Sequence, residues 1–189
     1  MTHEARYPPM QALELKVPPP LVALLLALAM WLASRVTPVL EVPALVRIFT
    51  ASAIGLVGGA VSIAGTIRFR RAGTTVNPMK PENASSLVTG GIYRFTRNPM
   101  YLALLLLLVA WAVFLASAWS LLGSLVFFLY ISRFQIAPEE RALARMFGAS
   151  YADYMAKVRR WLLGVPRTRD YRAIRFPSAN LKPVLKTRP

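Results

Sequence analysis

Residues 99–135 read PMYLALLLLLVAWAVFLASAWSLLGSLVFFLYISRFQ. At 37 residues this is about twice the ~20 that cross a bilayer as one α-helix, and Pro99 to Ser132 holds no charge. No proline and no glycine pair lies mid-stretch to kink a single long helix. A break is therefore expected at Ala116-Ser117-Ala118-Trp119, giving two spans in a tight hairpin. Trp111 and Trp119 are then placed to anchor at the membrane interface.

Two further spans lie upstream. Leu21 to Val36 is apolar except for Ser34 and Arg35, and it follows Pro18-Pro19-Pro20, which cannot be helix interior. Arg35 near its end can reach the headgroups. A cleaved signal peptide fits less well, because Glu4 and Glu14 spoil a basic leader and no small-x-small cleavage site follows. The next span, about 44–69, carries Gly55, Gly58, Gly59 and Gly65 with Ser52 and Ser62. Small residues let helix backbones approach closely in lipid, so this helix is expected to be the most tightly packed. A lipid-facing helix with incidental glycines is the alternative.

The whole chain has 189 residues, 56% apolar and 16% charged, with 23 Lys or Arg against 8 Asp or Glu. A soluble domain carries about 25% charged residues. The hydrophobicity excludes a disordered basic tail protein. A nucleic-acid partner is not expected, since no binding fold or motif accompanies the charge. There are no cysteines and one histidine, His3, which excludes disulfides, thiol catalysis, a Ser-His-Asp triad and multi-His metal sites. The reading is an all-α integral membrane protein. It has about four transmembrane helices, near 20–37, 44–69, 99–116 and 119–135, and a short C-terminal cytoplasmic helical subdomain.

The charge is sorted by position. The segment after span two holds Arg68, Arg70, Arg71, Lys80, Arg94 and Arg97 against Glu82, and the chain from Pro138 onward holds 12 basic and 4 acidic residues. The turn between spans three and four has none. The positive-inside rule puts loop 70–98 and both termini in the cytoplasm. Residues 1–18 form an N-terminal segment. Residues 136–163 are expected as two short helices on the membrane face: one starts at Pro138-Glu139-Glu140, Gly148 stops it, and Ser150-Tyr151-Ala152-Asp153 caps the next. Residues 164–189 form a basic, proline-containing tail suited to anionic lipid.

Loop 70–98 is long for a connector and ends Tyr93-Arg94-Phe95-Thr96-Arg97-Asn98-Pro99-Met100-Tyr101. Asn98 is a good N-cap and Pro99 a good first helical residue. Free backbone N–H groups and Arg97 then share one helix mouth, which suits an anion such as a carboxylate.

The segment Leu87-Val88-Thr89-Gly90-Gly91-Ile92-Tyr93-Arg94-Phe95-Thr96-Arg97-Asn98-Pro99-Met100-Tyr101 is followed about 40 residues later by Glu139-Glu140, then Phe147-Gly148 and Tyr151-x-x-Tyr154. Together these resemble the isoprenylcysteine carboxyl methyltransferase family, with its phospholipid N-methyltransferase relatives, in a bacterial-type member. The family signature is Arg-His-Pro-x-Tyr-x-Gly, then paired glutamates. Here Asn98 stands at the family His and Ala103 at the family Gly, and Lys157 matches a basic residue near the chain end. Asn98 can hydrogen-bond but cannot carry a proton.

The resemblance implies an S-adenosylmethionine-dependent methyltransferase of the bacterial inner membrane, without a Rossmann domain. Its acceptor is lipidic or amphiphilic, a prenylcysteine-like carboxylate or a phospholipid amine, arriving through the bilayer. It implies cofactor contacts from Tyr93, Arg97, Asn98, Pro99, Met100, Tyr101, Glu139 and Glu140, with Arg97 and Lys157 as catalytic candidates. Each has a plainer reading. Tyr93 and Tyr101 suit an interfacial aromatic belt, the glutamates suit a helix N-terminus, and Lys157 with Arg159 suits a headgroup-binding face. Adjacent helical residues point about 100° apart, so one glutamate is expected to face the cofactor. A small membrane transporter or lipid-binding protein is the competing class, but such proteins usually place a charge inside a span, and 99–132 has none. A membrane reductase on a similar scaffold is a weaker third reading.

Overall fold

A computed structural model describes residues 14–73 and 85–162. Residues 1–13 with His3, residues 74–84 of the loop and the tail 164–189 lie outside them. Among the described residues the structure is all-helical, with no strand. Helix α1 runs Pro19–Val36, α2 Ala44–Arg71, α3 Pro99–Leu115, α4 Leu121–Ile131 and α5 Ala137–Lys157.

The long apolar stretch does fold back on itself. Ala116 ends α3 in the left-handed conformation (φ 49°, ψ 37°), and a 3₁₀ turn at Ala118–Ser120 starts the return. The α1–α2 connection meets this turn. The Leu40 N–H donates to the Ala116 carbonyl at 2.7 Å, and the Thr37 and Ser117 hydroxyls lie 3.3 Å apart. The first of these bonds satisfies backbone that leaves helical geometry near lipid, where an unpaired group costs several kcal/mol. The opposite end of the bundle collects residues 14–17, 93–98, 134–140 and 158–161.

Helices α1 and α2 and the helix from Ala118 to Lys157 are each long and apolar enough to cross a membrane, and α3 is a shorter apolar helix of 17 residues. The core lies between α1, α3 and α4, where Leu108, Ala112, Phe127 and Ile131 are buried with Met30. One expectation is corrected here. Trp111 is not an interfacial anchor: its indole N–H donates to the Ala27 carbonyl inside the bundle at 3.0 Å. Trp119 is more than half exposed.

Helix α2 makes the most extensive close approach of any helix pair, along α3, as its small residues suggest, although only 6% of its apolar window is buried. Its small residues divide by face. A Cβ on Gly58 would sit 3.3 Å from the Ala103 carbonyl oxygen, and one on Gly65 would touch Pro99 and Met100. Gly55 and Gly59 face open space beside Ser52 and Ala60. Only every third or fourth residue of a helix can face one neighbour, so two glycines pack on α3 and two do not.

A second correction concerns the end of span four. No new helix starts at Pro138. Helix α4 passes through a π turn, Ser132–Ile136, directly into α5, making one helical run from Ala118 to Lys157. Gly148 does interrupt it, at φ 52° and ψ −126°, a conformation that favours glycine. The helices on its two sides abut without a loop.

The split of the glycines is testable. Gly58→Leu forces a side chain against the α3 backbone and is expected to lower stability by about 1–3 kcal/mol. Gly55→Leu gains the same helix propensity with no clash and is expected to be neutral or stabilising. Thermal unfolding in detergent compares the two.

Candidate functional site

The site forms where α3 begins. Pro99 is fully buried and opens the helix, with its fixed φ suited to that position. The preceding residues are not held by self-capping. Asn98 occupies the N-cap position, but its side chain makes no cap bond; its amide instead donates to the Arg160 carbonyl at 3.0 Å. Thr96, fully buried, donates to the same carbonyl at 3.2 Å and accepts the Asn98 N–H. The Arg97 N–H donates to the Arg159 carbonyl at 2.9 Å. The segment after α5 thus closes against the mouth of α3 like a short paired strip, and Trp161 secures it by donating to the Ser132 hydroxyl at 3.1 Å.

Glu140 is the charged centre. One Arg97 Nη2 lies 2.9 Å from its Oε1, and Arg160 grips both carboxylate oxygens in a two-pronged pair, with Nε at 3.0 Å. Arg97 is 8% exposed and Glu140 15%, so the pair is largely desolvated. Such a pair is geometrically specific, and losing one member leaves a charge stranded. Glu139 points elsewhere, as adjacent helical residues must. The Tyr101 hydroxyl donates to its Oε2 at 3.0 Å. Burial pushes the Glu139 carboxyl up from its ordinary value; the Tyr101 hydroxyl opposes this, and neighbouring Glu140 adds to it.

Aromatic hydroxyls complete the wall. Tyr93, Tyr151 and Tyr154 are all buried. Tyr154 donates to the Tyr93 carbonyl at 2.7 Å, and the Tyr93 ring meets Phe69 of α2 edge-on at 5.4 Å. Burial, then the Glu139 carboxylate, pushes the Tyr93 hydroxyl above its ordinary value. Burial and the Glu140 carboxylate do the same at Tyr151. These tyrosines therefore stay protonated as donors. The Tyr93 hydroxyl and the Arg97 Nε and Nη1 are buried with no hydrogen-bond partner. Buried donors without partners each cost about 1–3 kcal/mol, and three of them lie in this one charged cluster.

The structure thus brings together Tyr93, Arg97, Tyr101, Glu139 and Glu140. Pro99 and Met100 pack toward Gly65 of α2, and Asn98 ties down the C-terminal segment. Lys157 is exposed at the end of α5; Arg160, three residues on, is the cation that reaches Glu140. Sequence reasoning missed Arg160, Thr96, and the position of Tyr151 and Tyr154 beside the charges. The Tyr-x-x-Tyr spacing was a usable signal for the last two, since i and i+3 share a helix face. For Arg160 there was none.

Apolar helices of spanning length, with a charged, tyrosine-walled cluster confined to one end, define an integral membrane protein with a polar site at its rim. The phospholipid methyltransferase family matches residues 46–150. The chain is 30% identical over 140 residues to a "Probable protein-S-isoprenylcysteine O-methyltransferase" of Oryza sativa subsp. indica, covering 70% of this chain and 72% of that one. The corresponding protein of subsp. japonica matches equally. An "Uncharacterized protein" of Haemophilus influenzae is 51% identical over 63 residues, 33% of this chain and all of that one. No solved structure matches significantly. The chain belongs to the phospholipid methyltransferase family, a family of membrane methyltransferases.

The ion-pair centre is expected to be structural as well as polar. Glu140→Ala strands Arg97 and should cost about 3 kcal/mol. Arg160→Ala should cost less, because Arg160 is 35% exposed and water can replace it. Denaturation midpoints in one detergent give the order.

Proposed function

We propose that this protein transfers a methyl group from S-adenosylmethionine to a lipidic or amphiphilic acceptor in the bacterial inner membrane. The observation that carries the proposal is the set of unpartnered buried donors, Tyr93 hydroxyl and Arg97 Nε and Nη1, beside Glu139 and Glu140. They fit the cofactor's own chemistry. Its carboxylate wants donors such as those of Arg97 and Tyr93, and its ammonium and ribose hydroxyls want carboxylates such as Glu139. Among the described residues Glu139 has a single hydrogen-bond partner, the neutral Tyr101, whereas Glu140 is gripped by two arginines. Glu139 is therefore the glutamate assigned to the ligand.

When bound, the cofactor supplies the methyl as the electrophilic carbon of a sulfonium. The chain's part is to bind, orient and keep water out, which needs no cysteine or histidine nucleophile. Thr96, Asn98 and the 159–161 segment shut the mouth, and the tyrosines wall it. The acceptor's tail is accommodated by lipid and its polar group meets the site at the membrane face. In this proposal both termini face the cytoplasm, a reading supported by Arg68, Arg70 and Arg71 at the end of α2 on the side of the site. The two family activities, on a prenylcysteine carboxylate or a phospholipid amine, are the two acceptor classes proposed.

Equilibrium binding of S-adenosylmethionine or its demethylated product to purified, folded protein tests this. Tyr93→Phe and Arg97→Ala are each expected to weaken binding at least about tenfold, roughly 1.4 kcal/mol. Without ligand, Tyr93→Phe should be neutral or stabilising, because it removes a buried hydroxyl that has no partner. No binding at millimolar cofactor refutes the proposal and returns the chain to a lipid-binding role. Methyl transfer to a membrane lipid extract then separates the acceptors: a carboxyl methyl ester releases methanol in alkali and an N-methyl group does not.

A further inference from the structure

The helix that carries Glu139 and Glu140 has a defect just before them. Pro138 has no N–H, so the Phe134 carbonyl, four residues earlier, loses its α-helical donor. The π turn Ser132–Ile136 lies at that point. π turns widen a helix locally and are frequent at functional sites. A helix with a missing bond two turns or less from two carboxylates needs something to hold its register.

The residues preceding α1 supply it. The Leu15 N–H donates to the Phe134 carbonyl at 3.1 Å, replacing the donor that Pro138 lacks. Gln135, fully buried inside the π turn, donates its amide to the Val17 carbonyl at 2.7 Å. Glu14 then bridges the defect. Its Oε1 lies 2.7 Å from Arg133 Nη1, and its Oε2 pairs with Arg141. Arg133 sits in the π turn and Arg141 directly follows Glu140, so one carboxylate clamps both sides of the pair. Glu14 is 13% exposed, drier than its two partners. Leu15 is held at φ 56°, left-handed for a residue with a side chain. Such a conformation costs about 1–3 kcal/mol and persists where neighbours over-determine it.

We propose that Glu14 is a positioning residue for the methyltransferase site: residues 14–17 brace the π turn, and the Glu14 clamp on Arg133 and Arg141 sets where Glu139 and Glu140 face. The proposal rests on the reading of Glu139 and Glu140 as cofactor contacts. Glu14 itself touches neither glutamate's partners, since Arg97, Arg160 and Tyr101 are separate groups.

Two measurements on the full chain in detergent test it. Hydrogen exchange of the peptides spanning 131–142 asks whether the brace exists. Glu14→Gln keeps the shape and removes the charge, and is expected to speed exchange there at least about fivefold, with the remaining helices unchanged. Arg133→Gln and Arg141→Gln cut one arm each and should give smaller rises. Arg141→Lys keeps the charge and should behave as the wild type. Unchanged exchange in Glu14→Gln overturns the brace, whatever the protein's activity.

The second measurement is the dissociation constant for S-adenosylmethionine. Glu14→Gln should raise it about fivefold, near 1 kcal/mol, while the melting temperature stays at the wild-type value. Faster exchange with unaltered affinity overturns the positioning role. So does a loss of affinity that only tracks a lowered melting temperature, in which case the one-arm variants, being milder, keep the comparison readable. If the wild type binds no cofactor, the methyltransferase reading fails, and the exchange result still decides the brace.

Discussion

Glu140 stands between Arg97 and Arg160, and most of the site depends on that arrangement. Three segments distant in sequence meet at one carboxylate: the entrance to α3, the start of α5 and the strip that follows α5. Each brings a charge to the edge of an apolar bundle, where desolvation makes an isolated ion costly. Paired, they satisfy one another, and the backbone follows. The bonds from Thr96, Arg97 and Asn98 to the carbonyls of Arg159 and Arg160 lie alongside the ion pairs. Arg97 is held by one nitrogen and keeps two without partners, so the pairing that builds the site also leaves donors for a ligand.

The bundle itself rests on a different balance. Lipid removes the hydrophobic drive between helices, so packing and scattered hydrogen bonds must suffice. Trp111 reaches the Ala27 carbonyl, Ser120 reaches the Met30 carbonyl, and Gly58 brings α2 against Ala103. These fasten α1 and α2 to the α3–α4 hairpin without fixing the polar end. That end is fastened by the ion pairs and by residues 14–17. The scaffold and the site are thus stabilised by different interactions, and changes in one need not propagate to the other.

Much of the fold was legible along the chain. The uncharged run from Pro99 to Ser132 is too long for one crossing, and Ala116 to Trp119 is where it turns. The family spacing from Arg97 to Glu139-Glu140 also picked out residues that the structure gathers. The errors share a cause. Arg160 went unseen because it lies beyond the end of α5 and reaches Glu140 only where the chain after Val158 turns back to α3. Asn98 was read as a cap from its type and position, while a tertiary carbonyl claimed its amide. Trp111 and the α2 glycines were assigned by composition, which does not say which face meets a neighbour.

Sequence by itself determined that this chain is helical, membrane-embedded and charged at one rim, because apolar run length, proline and glycine placement and charge sorting are local properties. It also carried the family signature. Tertiary structure alone decided which cation pairs with which glutamate, which donors are left without partners, and that Glu14 spans the π turn before Pro138. Those outcomes depend on groups up to 127 residues apart meeting in low dielectric, where geometry decides which charges are satisfied.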